Sequence, residues 1–222
     1  MDLQVLYEDS HCVAVCKPAG VLVQADRTGD PTLVQAVEVY LRRRTGKRGR
    51  VFIGVVHRLD RPVSGVVLLA RTSKAAARLA AQFRAGSVRK VYVALVETAP
   101  PESAGVLVHH LRKDTATNRT HVVAAGEPGA RLARLGYRVL ETHAGGTLVE
   151  VRPETGRSHQ IRVQLAAAGA IIVGDLRYGS HRRLGQRIAL HASSLGFEHP
   201  TLHETVTVTA PLPAEWAALL RG

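Results

Sequence analysis

Acidic and aromatic residues are both scarce in this chain, and each shortage narrows the class of protein. The sequence has 18 Asp and Glu against 30 Lys and Arg, a formal charge of +12 over 222 residues. Such a surplus favours a polyanionic partner, nucleic acid above all, or an acidic membrane surface. Aromatic residues make up 4%, which argues against a broad base-stacking platform for single strands. We therefore expect a protein that contacts many phosphates of a nucleic acid and binds a single base closely.

Cysteine is also scarce, and long apolar runs are missing. Cys12 and Cys16 are the two cysteines; in the strand predicted there, four residues span about 13 Å, too far for a disulfide. Two cysteines also make a poor zinc site. No run reaches the ~18 apolar residues that a membrane span requires, and the acidic, alternating Met1–Asp9 is unlike a signal peptide. We expect a reduced, cytoplasmic monomer without a metal, a cofactor or a membrane partner.

Composition and patterning predict one globular domain over residues 1–222. The hydrophobic fraction of 45% and the charged fraction of 22% are ordinary for a protein with a buried core. Alternation and β-branched runs predict strands at 3–7, 12–17, 66–70, 90–96, 105–111, 119–125, 134–142, 146–152, 188–192 and 205–209. Long runs of strands with few helices indicate the α+β class, with a large mixed, mostly antiparallel sheet flanked by a few helices.

Helices are expected at four places. One begins at Asp30–Pro31, because an N-cap residue followed by proline is a typical start. Ser73 is the expected cap of a second helix that ends near Ala85. A short helix around Trp216 ends the chain.

Between the first helix and the next strand, Arg42–Arg50 carries six Lys or Arg. This basic connector is either a solvated loop or an RNA contact.

The alanine-rich block Glu154–Gly169 contains the fourth predicted helix, from Arg157 to Ala168, with glycine as its stop. Cations in the first turns of a helix oppose the helix dipole, which favours anions at that end. Arg157 and Arg162 are therefore locally unfavourable unless an anion or a carboxylate lies nearby. This mismatch points to a functional role.

A dense polar cluster, His57-Arg58-Leu59-Asp60-Arg61, lies between two β-branched apolar runs. Pro62 and Gly65 break regular pairing there, so we expect a loop braced by two strands, where chemistry is often found. Arginines on both sides of Asp60 keep its carboxylate ionised and attract phosphate. This combination suits a carboxylate that acts on the sugar or base of a phosphate-bearing polymer.

Four separated motifs together resemble the RluA-type RNA pseudouridine synthase family. They are His57–Arg61 with Ser64-Gly65; Lys90-Val91-Tyr92; Thr155–Val163; and Gly174-Asp175 with Tyr178-Gly179, followed by Leu190-His191-Ala192, Phe197 and His199-Pro200. They span about residues 10–200. The resemblance implies the synthase catalytic fold and the isomerisation of uridine to pseudouridine in ribosomal RNA, transfer RNA or both. Because the pattern starts almost at Met1, the small RNA-binding S4 domain of many relatives is expected to be absent.

The resemblance also implies roles for individual residues. Asp60 would be the catalytic carboxylate, acting on the ribose of a flipped-out uridine as a nucleophile at C1′ or a base at C2′. Arg162 would pair with Asp60, and Tyr92 would stack on the uracil. The remaining substrate contacts would come from Arg58, which fills the gap left by the base or holds its phosphate, from Leu190 beneath the base, and from His57, Arg61, Arg157 and His159. The two histidines suit a structural brace equally well.

Four positions depart from the family pattern and leave substrate choice more open than activity. Val63 stands in place of a threonine, Gln164 and Ala170 in place of histidines, and Ile171 in place of a proline.

Two other classes of protein are compatible with the composition. One is a metal-dependent nuclease or phosphohydrolase using His57, Asp60 and Asp175, although the acidic residues of the chain are few and scattered. The other is a non-catalytic RNA-binding or assembly protein on the same scaffold.

Overall fold

The computed structural model describes residues 3–46 and 49–221. Its strands are β1 (Gln4–Glu8), β2 (Cys12–Lys17), β3 (Gly54–Val55), β4 (Ser64–Ala70), β5 (Arg89–Val96), β6 (Ala104–Asp114), β7 (Arg119–Val123), β8 (Arg131–His143), β9 (Gly146–Pro153), β10 (Leu190–Glu198) and β11 (Thr205–Thr209). The helices are α1 (Leu33–Thr45), α2 (Ser73–Ala85), α3 (Gln160–Ala167) and α4 (Trp216–Arg221), with a 3₁₀ turn at Leu176–Tyr178. The α+β class and the mixed, mostly antiparallel sheet are confirmed.

The chain forms two compact units. The first comprises Met1–Arg89 and Ala192–Pro211, and the second comprises Lys90–His191 and Leu212–Gly222. A single domain over residues 1–222 stays a prediction.

The first unit is built on the strand order β1-β2-β4-β10, with β11 on the far edge of β10 and the short β3 also paired to β4. β2 and β4 run antiparallel from Cys12 opposite Ala70 to Lys17 opposite Gly65. All seven residues of β4 are buried, as its continuous apolar run predicts. Leu79 of α2 packs in one core with Leu68 of β4 and Phe197 of β10, so α2 covers one face of these strands.

The second unit contains five antiparallel strands in the order β5-β9-β8-β6-β7. Val163 of α3 packs with Leu111 of β6 and Ala133 of β8. Gln164 is fully buried, and its Nε2 donates to the carbonyl oxygens of Leu107 at 3.0 Å and Ala133 at 3.3 Å. The departure at Gln164 therefore serves as an internal tie between α3 and the strands beneath it.

The predicted starts of α1 and α2 were wrong by one or two residues. Thr32 caps α1: its hydroxyl accepts from the Gln35 amide while the Gln35 side chain accepts from the Thr32 amide. This reciprocal capping box satisfies two backbone donors at once, so the helix begins after Thr32 and not at Asp30–Pro31. Thr72, not Ser73, caps α2 by accepting from the Ala75 amide. In both cases a side chain one or two positions away offered the better acceptor.

The helix α3, the basic connector and the strand β10 also differ from their predicted bounds, and most other strand ends differ by one to three residues. α3 begins at Gln160 and not at Arg157, because His159 adopts the left-handed conformation with φ 51°. Arg162 is therefore in the first turn of α3, whereas Arg157 precedes the helix. The basic connector predicted from Arg42 begins inside α1, and its residues 47 and 48 lie outside the described residues. β10 extends to Glu198, well beyond the strand predicted at 188–192. Among the residues described, no helix is long and apolar enough to cross a membrane.

Candidate active site

Asp60 lies in a tight turn between β3 and β4. The Asp60 carbonyl oxygen accepts a hydrogen bond from the Val63 amide at 3.1 Å. The Asp60 side chain is half-buried, Arg58 is exposed, and Leu59 is buried beneath the turn. The loop braced by two strands is therefore present as predicted, with polar side chains at its surface. The prediction that Gly65 breaks the pairing was wrong, because Gly65 lies in β4 and pairs with Lys17 of β2.

Arg61 anchors this turn to the segment that follows β2. Its Nε donates to the Gly20 carbonyl oxygen at 3.0 Å, and its Nη1 lies 2.8 Å from Oδ2 of Asp30. The Arg61 carbonyl oxygen accepts from the Gly20 amide at 2.8 Å. Arg61 thus has a clear structural role, and its expected contact with RNA stays a prediction.

Lys17 also holds the Asp60 turn, and sequence reasoning missed it. Its side chain is completely buried, and Nζ donates to the carbonyl oxygens of Pro18, Val21 and Arg61 at 3.0, 2.8 and 3.1 Å. Burial lowers the pKa of Lys17 to about 7, and the carboxylate of Asp60 opposes this shift. The available signal was a lysine at the end of an apolar strand, directly before a proline.

His57 braces the turn from the side of α2. Its Nε2 accepts a hydrogen bond from the Leu68 amide at 2.9 Å. Its ring stacks on Phe83 with centroids 4.5 Å apart and an interplanar angle of 18°. These contacts give His57 the bracing role that the sequence left open, while its contact with RNA stays a prediction.

In the second unit, Arg162 is held by a carboxylate that sequence reasoning did not assign to it. Nε donates to Oδ2 of Asp175 at 2.6 Å, and Nη2 donates to Oδ1 at 2.8 Å. The side chains are 6% and 1% exposed. A bidentate pair of this kind is strong and directional, and it compensates the cation in the first turn of α3. The pairing of Arg162 with Asp60 stays a prediction.

The ion pair between Arg162 and Asp175 also bears on the alternative that the protein is a metal-dependent enzyme. Both carboxylate oxygens of Asp175 are engaged by a guanidinium, which is a poor arrangement for a metal ligand. Among the described residues, Asp9, Cys12 and His199 are the one group of three spaced closely enough to hold a metal ion. However, Asp9 Oδ2 accepts from His199 Nε2 at 2.6 Å, and His199 Nδ1 accepts from the Leu202 amide at 2.9 Å. This cluster is therefore a hydrogen-bonded joint between the β1–β2 turn and the end of β10.

The segment before α3 carries two more residues that were predicted to contact RNA, Arg157 and His159. His159 is buried, and its Nδ1 lies 2.9 Å from the hydroxyl of Tyr178. Arg157 is exposed, with Nε donating to the Leu132 carbonyl oxygen at 3.0 Å. RNA contacts by these two residues stay predictions.

The three predicted catalytic side chains are divided between the two units, with Asp60 in the first and Tyr92 and Arg162 in the second. Tyr92 lies on β5 opposite Val151 and is half-buried. Leu190, at the start of β10, is 3% exposed. The meeting of these groups around one nucleotide stays a prediction.

The fold of the chain matches solved pseudouridine synthases. Human RNA Pseudouridylate Synthase Domain Containing 4 superposes with a TM-score of 0.81 at 26% identity, over 98% of this chain and 91% of that one. Human RNA Pseudouridylate Synthase Domain Containing 1 gives a TM-score of 0.75 at 29% identity, over 95% and 83% of the two chains. The protein is thus of the pseudouridine synthase class.

Sequence comparison specifies the family. The family model described as RNA pseudouridylate synthase matches residues 11–167. Ribosomal large subunit pseudouridine synthase D of Zymomonas mobilis subsp. mobilis is 34% identical over 99% of this chain and 72% of its own length. An uncharacterized RNA pseudouridine synthase of Chloroflexus aurantiacus is 42% identical over 92% of this chain and 64% of its own length. The chain belongs to the RNA pseudouridylate synthase family, and it is an RNA pseudouridine synthase, an isomerase.

Proposed function

We propose that this enzyme converts uridine to pseudouridine in large-subunit ribosomal RNA and that Asp60 is its catalytic carboxylate. Relatives named ribosomal large subunit pseudouridine synthase D and C are 34% and 33% identical over 99% and 100% of the chain. The observation that carries the role of Asp60 is its half-buried position on a turn whose backbone is held by Arg61 and Lys17. A reacting group fixed in this way is in place before substrate binds.

The reaction breaks the N1–C1′ bond of uridine, turns the base and joins C5 to C1′. Because the product is an isomer, the sum of the steps transfers no electrons to or from the protein. The target nucleotide must leave its stack before a side chain can reach the ribose, which costs a few kcal/mol. Asp60 then attacks C1′ or removes the proton at C2′, and either path requires the ionised carboxylate.

Arg162 and Tyr92 complete the proposed chemistry. The Arg162 guanidinium orients the Asp60 carboxylate by a charge-assisted hydrogen bond and stabilises its charge. Tyr92 stacks on the uracil and places its hydroxyl near C5, where a proton must leave. Exposed Arg58 occupies the space of the extruded base or binds its phosphate, and Leu190 packs beneath the base. Contacts from His57, Arg61, Arg157 and His159 to neighbouring nucleotides belong to the same proposal.

The enzyme is proposed to work as a cytoplasmic monomer on ribosomal RNA. Cys12 and Cys16 are both free thiols, in keeping with a reducing compartment. Sedimentation velocity at several protein concentrations measures the oligomeric state. A concentration-dependent dimer would contradict the monomer, and pseudouridine formed in transfer RNA but not in ribosomal RNA would contradict the substrate.

Replacement of Asp60 tests the catalytic role. Asp60→Asn keeps the size of the side chain and removes its charge, so we expect release of tritium from 5-tritiated uridine to fall below detection. RNA affinity should stay within a few-fold of the unmutated enzyme, because one uncharged amide changes few phosphate contacts. The matched control is Glu102→Gln, at an exposed carboxylate in the loop before β6, which should retain full release. Substantial tritium release by Asp60→Asn would remove Asp60 from the mechanism.

A further inference from the structure

The turn from Gly174 to Gly179 matches a family motif, yet the proposed chemistry gives it no task. Asp175 and Tyr178 stand at the two ends of this turn, where the Asp175 carbonyl oxygen accepts from the Tyr178 amide at 3.0 Å. The flanking Gly174 and Gly179 have φ of 87° and 105°, a backbone region that favours glycine. The turn therefore brings the side chains of Asp175 and Tyr178 out of a single short segment.

Both of these side chains contact the guanidinium of Arg162. Asp175 binds its edge through the two hydrogen bonds described above. Tyr178 presents the face of its ring, because the guanidinium carbon lies over the ring at 5.1 Å from the centroid, within the range of a cation–π interaction. One turn thus holds Arg162 by two kinds of contact, a bidentate ion pair and an aromatic ring.

The Tyr178 ring is itself fixed. Its side chain is 7% exposed, and its hydroxyl accepts a hydrogen bond from the Thr120 amide of β7 at 2.9 Å. The same hydroxyl lies 2.9 Å from Nδ1 of His159, the residue before α3. A second guanidinium, that of Arg119, lies over the ring at 5.4 Å. The ring therefore has little freedom to follow a moving arginine.

We propose that Tyr178 is a positioning residue that fixes the tilt of the Arg162 guanidinium against Asp175. Two parallel hydrogen bonds to one carboxylate restrain the guanidinium in its own plane but allow it to rock about the line of those bonds. The aromatic face removes that rocking motion. This inference rests on the proposed role of Arg162 in orienting the catalytic carboxylate, since small misplacements of an orienting group slow the chemical step.

Kinetic comparison of two Tyr178 variants tests the proposal. Tyr178→Leu removes the aromatic face, and we expect the single-turnover rate on 5-tritiated large-subunit ribosomal RNA transcript to fall roughly 3- to 30-fold. The apparent affinity for the transcript should stay within twofold. Tyr178→Phe keeps the face, and because the ring remains enclosed in a buried site, this variant should retain a rate within about twofold of the unmutated enzyme. Equal losses in the two variants would overturn the proposal, because the hydroxyl and not the face would then be responsible.

Tyr137→Leu is the matched control for the loss of a buried tyrosine. Tyr137 is 8% exposed on β8 of the same unit, and its ring lies against Gly105. We expect this variant to lower the thermal midpoint about as far as Tyr178→Leu while its single-turnover rate stays unchanged. A rate that falls with the thermal midpoint in both variants would contradict a positioning role for Tyr178.

A measurement on the protein without RNA tests this inference independently of the proposed substrate. The Nε–H resonance of Arg162, assigned by its disappearance in Arg162→Lys, reports the aromatic face through the ring current of Tyr178. We expect Tyr178→Leu to move this resonance downfield and to speed its exchange with water, and Tyr178→Phe to leave it in place. If the unmutated enzyme does not modify the transcript, the substrate proposal fails while this test still stands. A resonance unmoved by Tyr178→Leu would overturn the positioning role.

Discussion

The buried side chain of Lys17 helps to position Asp60. An ammonium group taken out of water is strongly disfavoured unless hydrogen bonds replace the lost hydration. Three carbonyl oxygens meet its Nζ, and one of them belongs to Arg61, the neighbour of Asp60. The same group therefore closes the chain after β2 and fixes the backbone of the turn that carries the proposed catalytic carboxylate.

Removing this amine should lower stability. In Lys17→Met, three carbonyl oxygens lose their donor inside the protein, and an unsatisfied buried acceptor costs about 1–3 kcal/mol. We therefore expect a lower urea midpoint at pH 7.5. The control, Lys74→Met at an exposed position on α2, should unfold at the midpoint of the unmutated protein. A Lys17→Met midpoint equal to that of the control would mean that the three hydrogen bonds are dispensable.

The pH dependence of stability follows from the lowered pKa of Lys17, about 7 against an ordinary value of 10.5. Between these two values the unfolded chain binds one more proton than the native protein at this site, so stability rises with pH there. Below about pH 7 the amine is charged in both states, and this contribution no longer changes. Urea unfolding at pH 6.5, 8 and 9.5 should show a steeper rise for the unmutated protein than for Lys17→Met. Parallel curves would contradict a depressed pKa.

At the scale of elements, Gly65 shows how two strands of the first unit constrain one residue. Gly65 is the second residue of β4 and has a φ of 116°. A Cβ added there would lie 2.2 Å from the Ala192 carbonyl oxygen and 2.5 Å from its nitrogen. Because both neighbours are backbone atoms of β10, no side-chain movement can relieve the contact. Glycine at this position of the motif therefore reflects close approach of backbone as well as its φ.

Gly65→Ala should consequently destabilise the protein far more than a positive φ alone requires. Gly126→Ala is the matched control, because Gly126 has φ of 90° and nothing within 4 Å of the added Cβ. Left-handed backbone strain of about 1–2 kcal/mol applies to both variants, and displacement of β10 adds about 1–3 kcal/mol to the first alone. Urea unfolding measures the difference. Similar free energies of unfolding for the two variants would refute the role assigned to the Ala192 backbone.

At the scale of the whole molecule, the charge of +12 predicts how RNA affinity responds to salt. Each phosphate neutralised by Lys or Arg releases condensed counterions, so affinity falls steeply as salt rises. Six phosphate contacts would lower affinity about a thousandfold between 50 and 200 mM salt. Filter binding of the ribosomal transcript over this range measures the slope, and a flat curve would contradict an electrostatic interface.

The basic residues at the end of α1 provide a local version of the same experiment. Arg43 is exposed in the last turn of that helix, where the sequence permits either a solvated surface or an RNA contact. Arg43→Gln should lower the salt slope by about one if its guanidinium binds a phosphate. An unchanged slope would identify this end of α1 as a solvated surface.

The positions of most strands were predictable from the sequence, whereas the starts of the helices were misplaced by one to three residues. A continuous apolar run placed β2 (Cys12–Lys17) and apolar alternation placed β11 (Thr205–Thr209) at their observed bounds, because a strand's pattern reflects which of its faces are buried. Helix starts shifted to Thr32 and Thr72 because several nearby side chains compete for the same backbone donors. α3 began late because His159 takes a left-handed conformation that few non-glycine residues adopt.

The sequence by itself determined the family, the α+β class and Asp60 as the candidate carboxylate, because these follow from short motifs and periodic patterns. Only the tertiary structure decided that Asp175 holds Arg162, that the Tyr178 ring lies against Arg162 and that Lys17 supports the Asp60 turn. Lys17 and Arg61 are 44 positions apart, and Arg162 and Asp175 are 13 apart. Partners at such separations are chosen by how the chain packs, and neither hydrophobic period nor local propensity encodes them.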